Sequence, residues 1–182
     1  MYLCAILVGD IGVGKTALRQ RYFSGKYNES PPTIGVRANS KTVDIGLETL
    51  QFEVYDTAGE ERFQTIRCPF YRRAHIALLV FDLADMQSFA HLKGWKRKVE
   101  TQNPSVSCFF IGTKADLPHV ISAKQIENVC GKKNVSYFET SAKHNHGIEE
   151  MFRSIIFRTY SRIGPALDIP LLPKKVSACC FQ

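Results

Sequence analysis

The 182-residue chain is 45% hydrophobic and 23% charged, with a net charge of +7 at pH 7, as is typical of one globular domain with a sizeable core. No apolar run reaches the roughly 20 residues that a membrane-spanning helix requires, and we expect no signal peptide because an apolar segment begins without a charged leader. The six cysteines suggest neither a disulfide framework nor paired zinc-ligand motifs, and the basic residues lack interleaved aromatics, so we expect a reducing, cytosolic setting and no nucleic-acid partner.

The first predicted elements surround a glycine-rich loop. Residues 2–8 form an apolar run that predicts a buried strand, and residues 17–23 predict a helix. Between them, the sequence GDIGVGKT at residues 9–16 matches the phosphate-binding pattern GxxxxGKS/T. The glycines allow the backbone to wrap around an anion, while Lys15 supplies a positive charge for the outer phosphates and Thr16 a hydroxyl for Mg²⁺. This order of strand, loop and helix predicts a nucleotide-binding site at the end of the first strand.

The remaining elements alternate between strands and helices. Residues 24–36 are polar and predict a mobile loop, and residues 43–45 and 50–55 predict a hairpin. Strands are predicted at 75–83, 106–112 and 135–138, with helices after an Asp85 cap, after a capping box from Ser122 to Gln125, and along the apolar stripe of residues 148–156. This pattern predicts an α/β fold in three layers: a mostly parallel six-stranded sheet with one antiparallel edge strand and helices on both faces. We assign residues 1–163 to this domain and residues 164–182, which contain three prolines, to a flexible tail.

Four further motifs follow predicted strands or close the mobile loop. They are TIGV at residues 33–36, DTAG at 56–59, TKAD at 113–116 and TSAK at 140–143. Together with the glycine-rich loop they resemble the motif set of Ras-superfamily small GTPases, over about residues 1–160. Within that superfamily the chain is most similar to the Rab group, because of the GD that opens the loop, ERF at 61–63, FYRRA at 70–74 and LVFD at 79–82. The resemblance implies the P-loop GTPase fold.

The resemblance also implies a role for each motif residue. Asp116 would accept hydrogen bonds from guanine, Asp56 would hold Mg²⁺ through water, and Tyr27 would lie against the base. The residues that it implies for nucleotide binding are Gly12, Val13, Gly14, Lys15, Thr16, Ala17, Tyr27, Thr33, Gly59, Thr113, Lys114, Asp116, Ser141, Ala142 and Lys143. The implied cofactors are GTP or GDP and Mg²⁺, with Thr16, Thr33 and Asp56 at the metal and Glu60, Lys15 and Gly59 at the reaction.

Three residues depart from the family pattern. Glu60 stands where the family usually has the glutamine that orients the attacking water, and a carboxylate has no N–H to donate. Ile11 replaces a small residue in the loop, and its branched side chain is stiff. Thr113 replaces the usual asparagine of the guanine motif, a change that the Rho and Rac group tolerates. We therefore predict intact GTP binding with weak intrinsic hydrolysis.

The chain ends in Cys179-Cys180-Phe181-Gln182, which fits a prenylation motif. A final glutamine by itself suggests farnesyl, whereas the resemblance to Rab proteins implies two geranylgeranyl groups on Cys179 and Cys180. An unmodified tail is the remaining alternative. Two lipids would anchor the chain stably, and Lys174 and Lys175 would add attraction to anionic lipid.

Two functions of different kinds remain open at this point. The first is a Rab-like GTPase switch in vesicle traffic, on the cytoplasmic face of an intracellular membrane and cycling with the cytosol. Its implied partners are an exchange factor, an activating protein, a dissociation inhibitor or escort protein, and effectors that contact residues 33–36 and 60–73. The second is a GTP-bound docking platform without hydrolysis. An ATP-using kinase or ATPase is disfavoured because it leaves Asp116 and residues 141–143 without a role.

Overall fold

The computed structural model describes residues 1–28, 35–46, 48–57, 64–130 and 136–163, with the backbone alone described for residues 64–68. Strands and helices alternate along most of these ranges, as predicted. In chain order the elements are β1 (Tyr2–Val8), α1 (Lys15–Ser24), β2 (Val36–Ile45), β3 (Glu48–Thr57), α2 (Gln64–Arg73), β4 (Ile76–Asp82), α3 (Met86–Gln102), β5 (Ser107–Thr113), α4 (Ala123–Cys130), β6 (Tyr137–Glu139) and α5 (Ile148–Ile163).

One sheet organises the described residues. Its six strands lie in the order β2-β3-β1-β4-β5-β6. β2 pairs antiparallel with β3 at one edge, and the other neighbouring pairs are parallel. The predicted mostly parallel sheet with one antiparallel edge strand is therefore confirmed. Because β3 and β4 lie on opposite sides of β1, a crevice forms beyond the carboxyl end of β1, where such sheets bind ligands.

Helices cover both faces of the sheet, which confirms the predicted three layers. Side chains of β1 alternate between the faces: Leu3 and Leu7 pack in a cluster with α1 and α5, and Ile6 and Val8 pack in a second cluster with α2, α3 and α4. All four are fully buried, and each such side chain stabilises the fold by about 1.5–3 kcal/mol. None of the described helices has the length and apolarity needed to cross a bilayer.

Both predicted helix caps are confirmed. Asp85 precedes α3, and its carboxylate accepts a hydrogen bond from the backbone N–H of Gln87 at 2.9 Å. Before α4, the Ser122 backbone N–H donates to Gln125 Oε1 at 2.9 Å, and the Gln125 N–H lies 3.4 Å from Ser122 Oγ. These reciprocal contacts satisfy N–H groups that the helix itself cannot pair.

The hairpin extends further than predicted, and α2 was not predicted at all. β2 begins at Val36 rather than residue 43, and most of its side chains are exposed, so no alternation of apolar and polar residues marks it in the sequence. Its partner β3 runs from Glu48 to Thr57. Pro69 lies inside α2, and because proline normally interrupts a helix, the sequence gives no helix signal there.

Candidate nucleotide-binding site

The glycine-rich loop connects β1 to α1 through backbone that requires glycine. A Cβ on Gly9 would lie 2.1 Å from the carbonyl oxygen of Val80, so any larger residue would force strand β4 to move. Gly12 and Gly14 have φ values of +76° and +95°, in the left-handed region that other residues rarely adopt. Left-handed turns of this kind form concavities lined by backbone N–H groups, which bind anions.

Lys15 is held over this loop by the loop's own backbone. Its Nζ donates to the carbonyl oxygens of Gly9 at 2.9 Å and Asp10 at 2.5 Å. The side chain is 6% exposed, which is rare for a lysine and is compatible with these two hydrogen bonds. A positive charge is therefore fixed beside the concavity, at the start of α1, where the helix dipole also favours an anion.

Asp10 ties the loop to α3 on the other side. Its Oδ1 accepts a hydrogen bond of 2.6 Å from Trp95 Nε1, and its Oδ2 lies 2.6 Å from His91 Nδ1. Both carboxylate oxygens are thus engaged by one helix. Between these fixed points Ile11 is 49% exposed, so the departure from a small residue places an apolar side chain on the outer surface of the loop.

A hydroxyl and a carboxylate meet at the start of α1. Thr16 Oγ1 donates to Asp56 Oδ2 at 2.8 Å, and the side chain of Asp56 is fully buried. Among the described residues, Asp56 Oδ1 has no hydrogen-bond partner. A buried carboxylate with an unpaired acceptor is costly unless a donor or a cation joins it. Hydroxyl and carboxylate oxygens are ligands that Mg²⁺ prefers, so the pair fits the predicted metal site.

Thr113 connects the glycine-rich loop to the end of β4. Its Oγ1 lies 2.6 Å from the Val13 carbonyl oxygen and 2.8 Å from that of Phe81, and the residue is 5% exposed. The hydroxyl can donate to one of these carbonyls at a time. Replacing the family's asparagine by threonine therefore still leaves a buried donor that links the phosphate loop to the motif at residues 113–116.

Lys114 has an unusual backbone conformation and a strong charge partner. Its φ is +56°, and its Nζ lies 2.7 Å from Asp82 Oδ2 at the end of β4. The ion pair fixes the direction of the lysine's aliphatic stem, which is the part that the family resemblance places along the base.

The two loops predicted to contact guanine lie side by side. The Ala115 N–H donates to the Thr140 carbonyl at 3.1 Å, and Ser141 Oγ donates to Asp116 Oδ1 at 2.5 Å. The pKa of Asp116 is lowered from its ordinary value, chiefly because this hydrogen bond favours the ionised carboxylate. Asp116 is therefore an acceptor at neutral pH, as a partner for N–H donors must be.

Arg21, on α1, donates hydrogen bonds to the backbone of the loop at residues 140–143. Its Nε donates to the Ala142 carbonyl at 2.7 Å, and its Nη2 donates to that of Lys143 at 3.2 Å. Ala142 is half-buried and Lys143 is exposed. The Arg21 guanidinium thus fixes the backbone of this loop. The family resemblance implies that an N–H group of the same loop contacts the base.

The other predicted site residues differ in their exposure, and some lie outside the described ranges. Tyr27 is half-buried shortly after the end of α1, Gly12 is exposed, and Ala17 is half-buried in the first turn of α1. The predictions for five residues lie outside the described residues, so they stay predictions: Thr33, Gly59, Glu60, Cys179 and Cys180.

Three residues of the site were missed by the sequence reasoning. Arg19 contacts Asp56, Arg21 contacts residues 142 and 143, and Asp82 pairs with Lys114. Of these three residues, only Arg19 could have been predicted from the sequence, because it lies three residues after Thr16 and thus on the same face of α1. The other two contacts join residues that no local pattern relates.

A phosphate-loop at the first strand of a mostly parallel sheet, with two further loops at the same edge, defines the class of P-loop nucleotide-binding proteins. The sequence model of the Ras family matches residues 4–161. The chain therefore belongs to the Ras family and is a small GTPase of the Ras superfamily. Proteins of this family are switches that bind GTP or GDP with Mg²⁺, hydrolyse GTP, and interact with exchange factors, activating proteins and effectors. The match favours this interpretation over an ATP-using kinase or ATPase.

Proposed function

We propose that the chain is a Rab-like small GTPase that acts as a GTP/GDP-dependent switch in intracellular vesicle traffic. The proposed nucleotide binding rests on two hydrogen-bonded pairs, Thr16 with Asp56 and Ser141 with Asp116. The Rab part is supported by the motifs that resemble that group. We place the protein on the cytoplasmic face of an intracellular membrane, cycling with the cytosol.

Each side chain contributes one interaction to the bound substrate in this proposal. Lys15 and the backbone N–H groups of the loop neutralise and orient the phosphates, and the Asp116 carboxylate accepts from the N–H groups of guanine. Adenine lacks that donor pair, and a site whose acceptor is left unpaired discriminates strongly. The metal would supply positive charge that offsets the negative charge of the phosphates. Thr16 and Asp56 would hold it, together with Thr33.

Bound nucleotide is the most direct test. Protein purified gently in Mg²⁺ should contain guanine nucleotide and no adenine nucleotide, as measured by chromatography of the denatured sample. Calorimetry on the folded, nucleotide-free protein should then detect binding of GDP. Well-folded protein that binds no guanine nucleotide would refute the proposal, and a preference for ATP would revive the kinase or ATPase alternative.

Slow hydrolysis is the second part of the proposal. Glu60 cannot donate an N–H to orient water, and Ile11 is a large exposed group where the family prefers a small one. Unassisted members already turn over at about 10⁻⁴ per second, and we expect this chain at or below that rate. Single-turnover hydrolysis should be faster in Glu60→Gln than in the wild type. Glu61→Gln removes the neighbouring charge and serves as the matched control. Equal rates in all three proteins would remove Glu60 from the explanation.

The same two residues support the alternative function, a GTP-bound docking platform that works without hydrolysis. The nucleotide found in the purified protein separates the two possibilities. Trapped GTP that persists for hours with Mg²⁺ supports the platform, whereas GDP supports a switch that cycles.

Membrane attachment is the third part of the proposal. We infer that Cys179 and Cys180 carry geranylgeranyl groups, so that an escort protein or dissociation inhibitor is needed to keep the chain in the cytosol. Two buried lipids meet the requirement of two signals for stable anchoring. Radiolabelled isoprenoid should be incorporated into the wild type and not into the double variant Cys179→Ser, Cys180→Ser. Equal labelling of the two would disprove the assignment.

A further inference from the structure

Arg19 brings a buried positive charge to the carboxylate of the candidate metal site. Its Nε lies 3.4 Å from Asp56 Oδ2, with the arginine side chain 8% exposed and that of Asp56 fully buried. The oxygen that accepts from Thr16 is thus also the partner of a guanidinium. Both groups of the pair are removed from water, so their attraction is weakly screened.

The guanidinium is held in this position from its other end. Arg19 Nη1 donates to the side-chain carbonyl of Asn39, in β2. Asn39 in turn faces Val54 of β3 in the antiparallel register. A guanidinium is planar and rigid, so a group bonded to both Asp56 and Asn39 cannot turn away from the carboxylate without breaking two interactions. The positive charge is therefore a fixed part of the site.

A metal ion and Arg19 would both interact with the negative charge of the Asp56 carboxylate. Asp56 Oδ1 is the acceptor that remains without a partner among the described residues, while Oδ2 serves Thr16 and Arg19. Lys15, whose Nζ donates to the carbonyls of Gly9 and Asp10, adds a second cation at the start of α1. A carboxylate already partnered by a guanidinium binds a further cation less strongly, because part of its charge is neutralised and the two cations repel.

We propose that Arg19 is an internal competitor of Mg²⁺ at Asp56, so that nucleotide retention in this GTPase requires a higher Mg²⁺ concentration than it would without this arginine. Arg19 is a positioning residue in this account, since it acts through Asp56. The inference rests on the proposed binding of guanine nucleotide with Mg²⁺ and adds to it a property of this chain's own residues.

The expected size of the effect follows from ordinary carboxylate–guanidinium pairs. The interaction of two unit charges about 4 Å apart changes a binding constant by about fivefold in water and by nearly a thousandfold at an effective dielectric constant of about 20. The family resemblance places Asp56 in contact with the metal through water, so we expect the low end of that range. Removing the charge should therefore lower the Mg²⁺ concentration required for nucleotide retention by about tenfold, which corresponds to ~1.4 kcal/mol.

The test measures release of a fluorescent GDP analogue across a Mg²⁺ titration, in the full-length protein. The variants are Arg19→Met, which keeps the length without the charge, Arg19→Gln, which keeps a donor without the charge, and Arg19→Lys, which keeps the charge. Arg97→Met removes an exposed arginine from α3 and is the control. The Mg²⁺ concentration for half-maximal slowing of release should fall about tenfold in the Met and Gln variants. It should stay near the wild-type value in the Lys variant and in the control.

Thermal unfolding with and without Mg²⁺ gives an independent readout that does not depend on hydrolysis. The increase in Tm on adding Mg²⁺ to the GDP-bound protein should be larger in Arg19→Met than in the wild type. Should Arg19→Met fail to fold, Arg19→Gln carries the same comparison. The inference would be overturned, with nucleotide binding intact, if the Mg²⁺ concentration for half-maximal slowing of release were unchanged or higher in the neutral variants. A wild type that binds no GDP at all would instead refute the proposed function, and the inference with it.

Discussion

Replacing Thr113 by valine removes one hydroxyl and leaves the shape of the side chain almost unchanged. That hydroxyl lies 2.6 Å from the carbonyl oxygen of Val13 and 2.8 Å from that of Phe81. Val13 is 1% exposed and Phe81 0% exposed, so water cannot readily take the place of the lost donor. The methyl group that valine introduces would face carbonyl oxygens instead.

The magnitude follows from the cost of leaving a buried acceptor without its donor. That cost is about 1–3 kcal/mol. For a protein of this size, 1 kcal/mol shifts Tm by about 2–4 °C, so we expect Thr113→Val to lower Tm by several degrees. Because the Val13 carbonyl belongs to the phosphate loop, the affinity for GDP should also fall, by roughly tenfold for each 1.4 kcal/mol lost from the loop's bound conformation.

Thermal unfolding and GDP calorimetry on three variants test this reasoning. Thr113→Ser keeps the hydroxyl and should retain most of the stability. Thr101→Val removes an exposed hydroxyl that bonds within α3 and should change Tm little. The reasoning would be refuted if Thr113→Val matched the wild type in both Tm and affinity, or if Thr113→Ser lost as much as Thr113→Val.

Three further predictions concern single residues. Ser141→Ala should raise the pKa of Asp116 towards its ordinary value of about 4, because the hydrogen bond that favours the ionised form is lost; carbon NMR titration of the carboxyl measures it. Gly9→Ala should destabilise the fold by more than ~2 kcal/mol in urea unfolding, since its Cβ would lie 2.1 Å from the Val80 carbonyl oxygen. Trp95, the single tryptophan, should change its fluorescence when GDP binds, because its indole N–H bonds to the phosphate loop.

The sign of the Asp116 prediction follows from linkage. A lowered pKa in the folded state stabilises the protein above the ordinary carboxyl pKa, and this stabilisation is lost as the pH falls through the lowered value. An unchanged titration in Ser141→Ala would contradict the assigned cause. The Gly9 prediction would be wrong if the alanine variant unfolded at the wild-type urea concentration. Constant tryptophan emission across a GDP titration that calorimetry shows to be saturated would contradict the third prediction.

Much of the fold was predictable because its signals are local. Buried parallel strands such as β1 and β4 are continuous apolar runs, and α3 and α5 show helical spacing of their apolar side chains. Each of these patterns lies within about 20 residues of chain. Most of β2 and all of α2 were not predicted, because such local patterns are absent there: β2 is exposed along most of its length, and α2 contains a proline.

The sequence by itself determined the family and the chemistry of the loops, since the glycines, Lys15 and Thr16 carry their roles in their own side chains and spacing. Only the tertiary structure decided which charges meet. Arg19 and Asp56 are 37 residues apart, and Arg21 and Ala142 are 121 apart. The parallel sheet brings the carboxyl ends of distant strands to one edge, and α1 directs Arg19 towards strands β2 and β3 and Arg21 towards the loop at residues 142 and 143. Contacts of this kind depend on how whole elements pack, which no short stretch of sequence encodes.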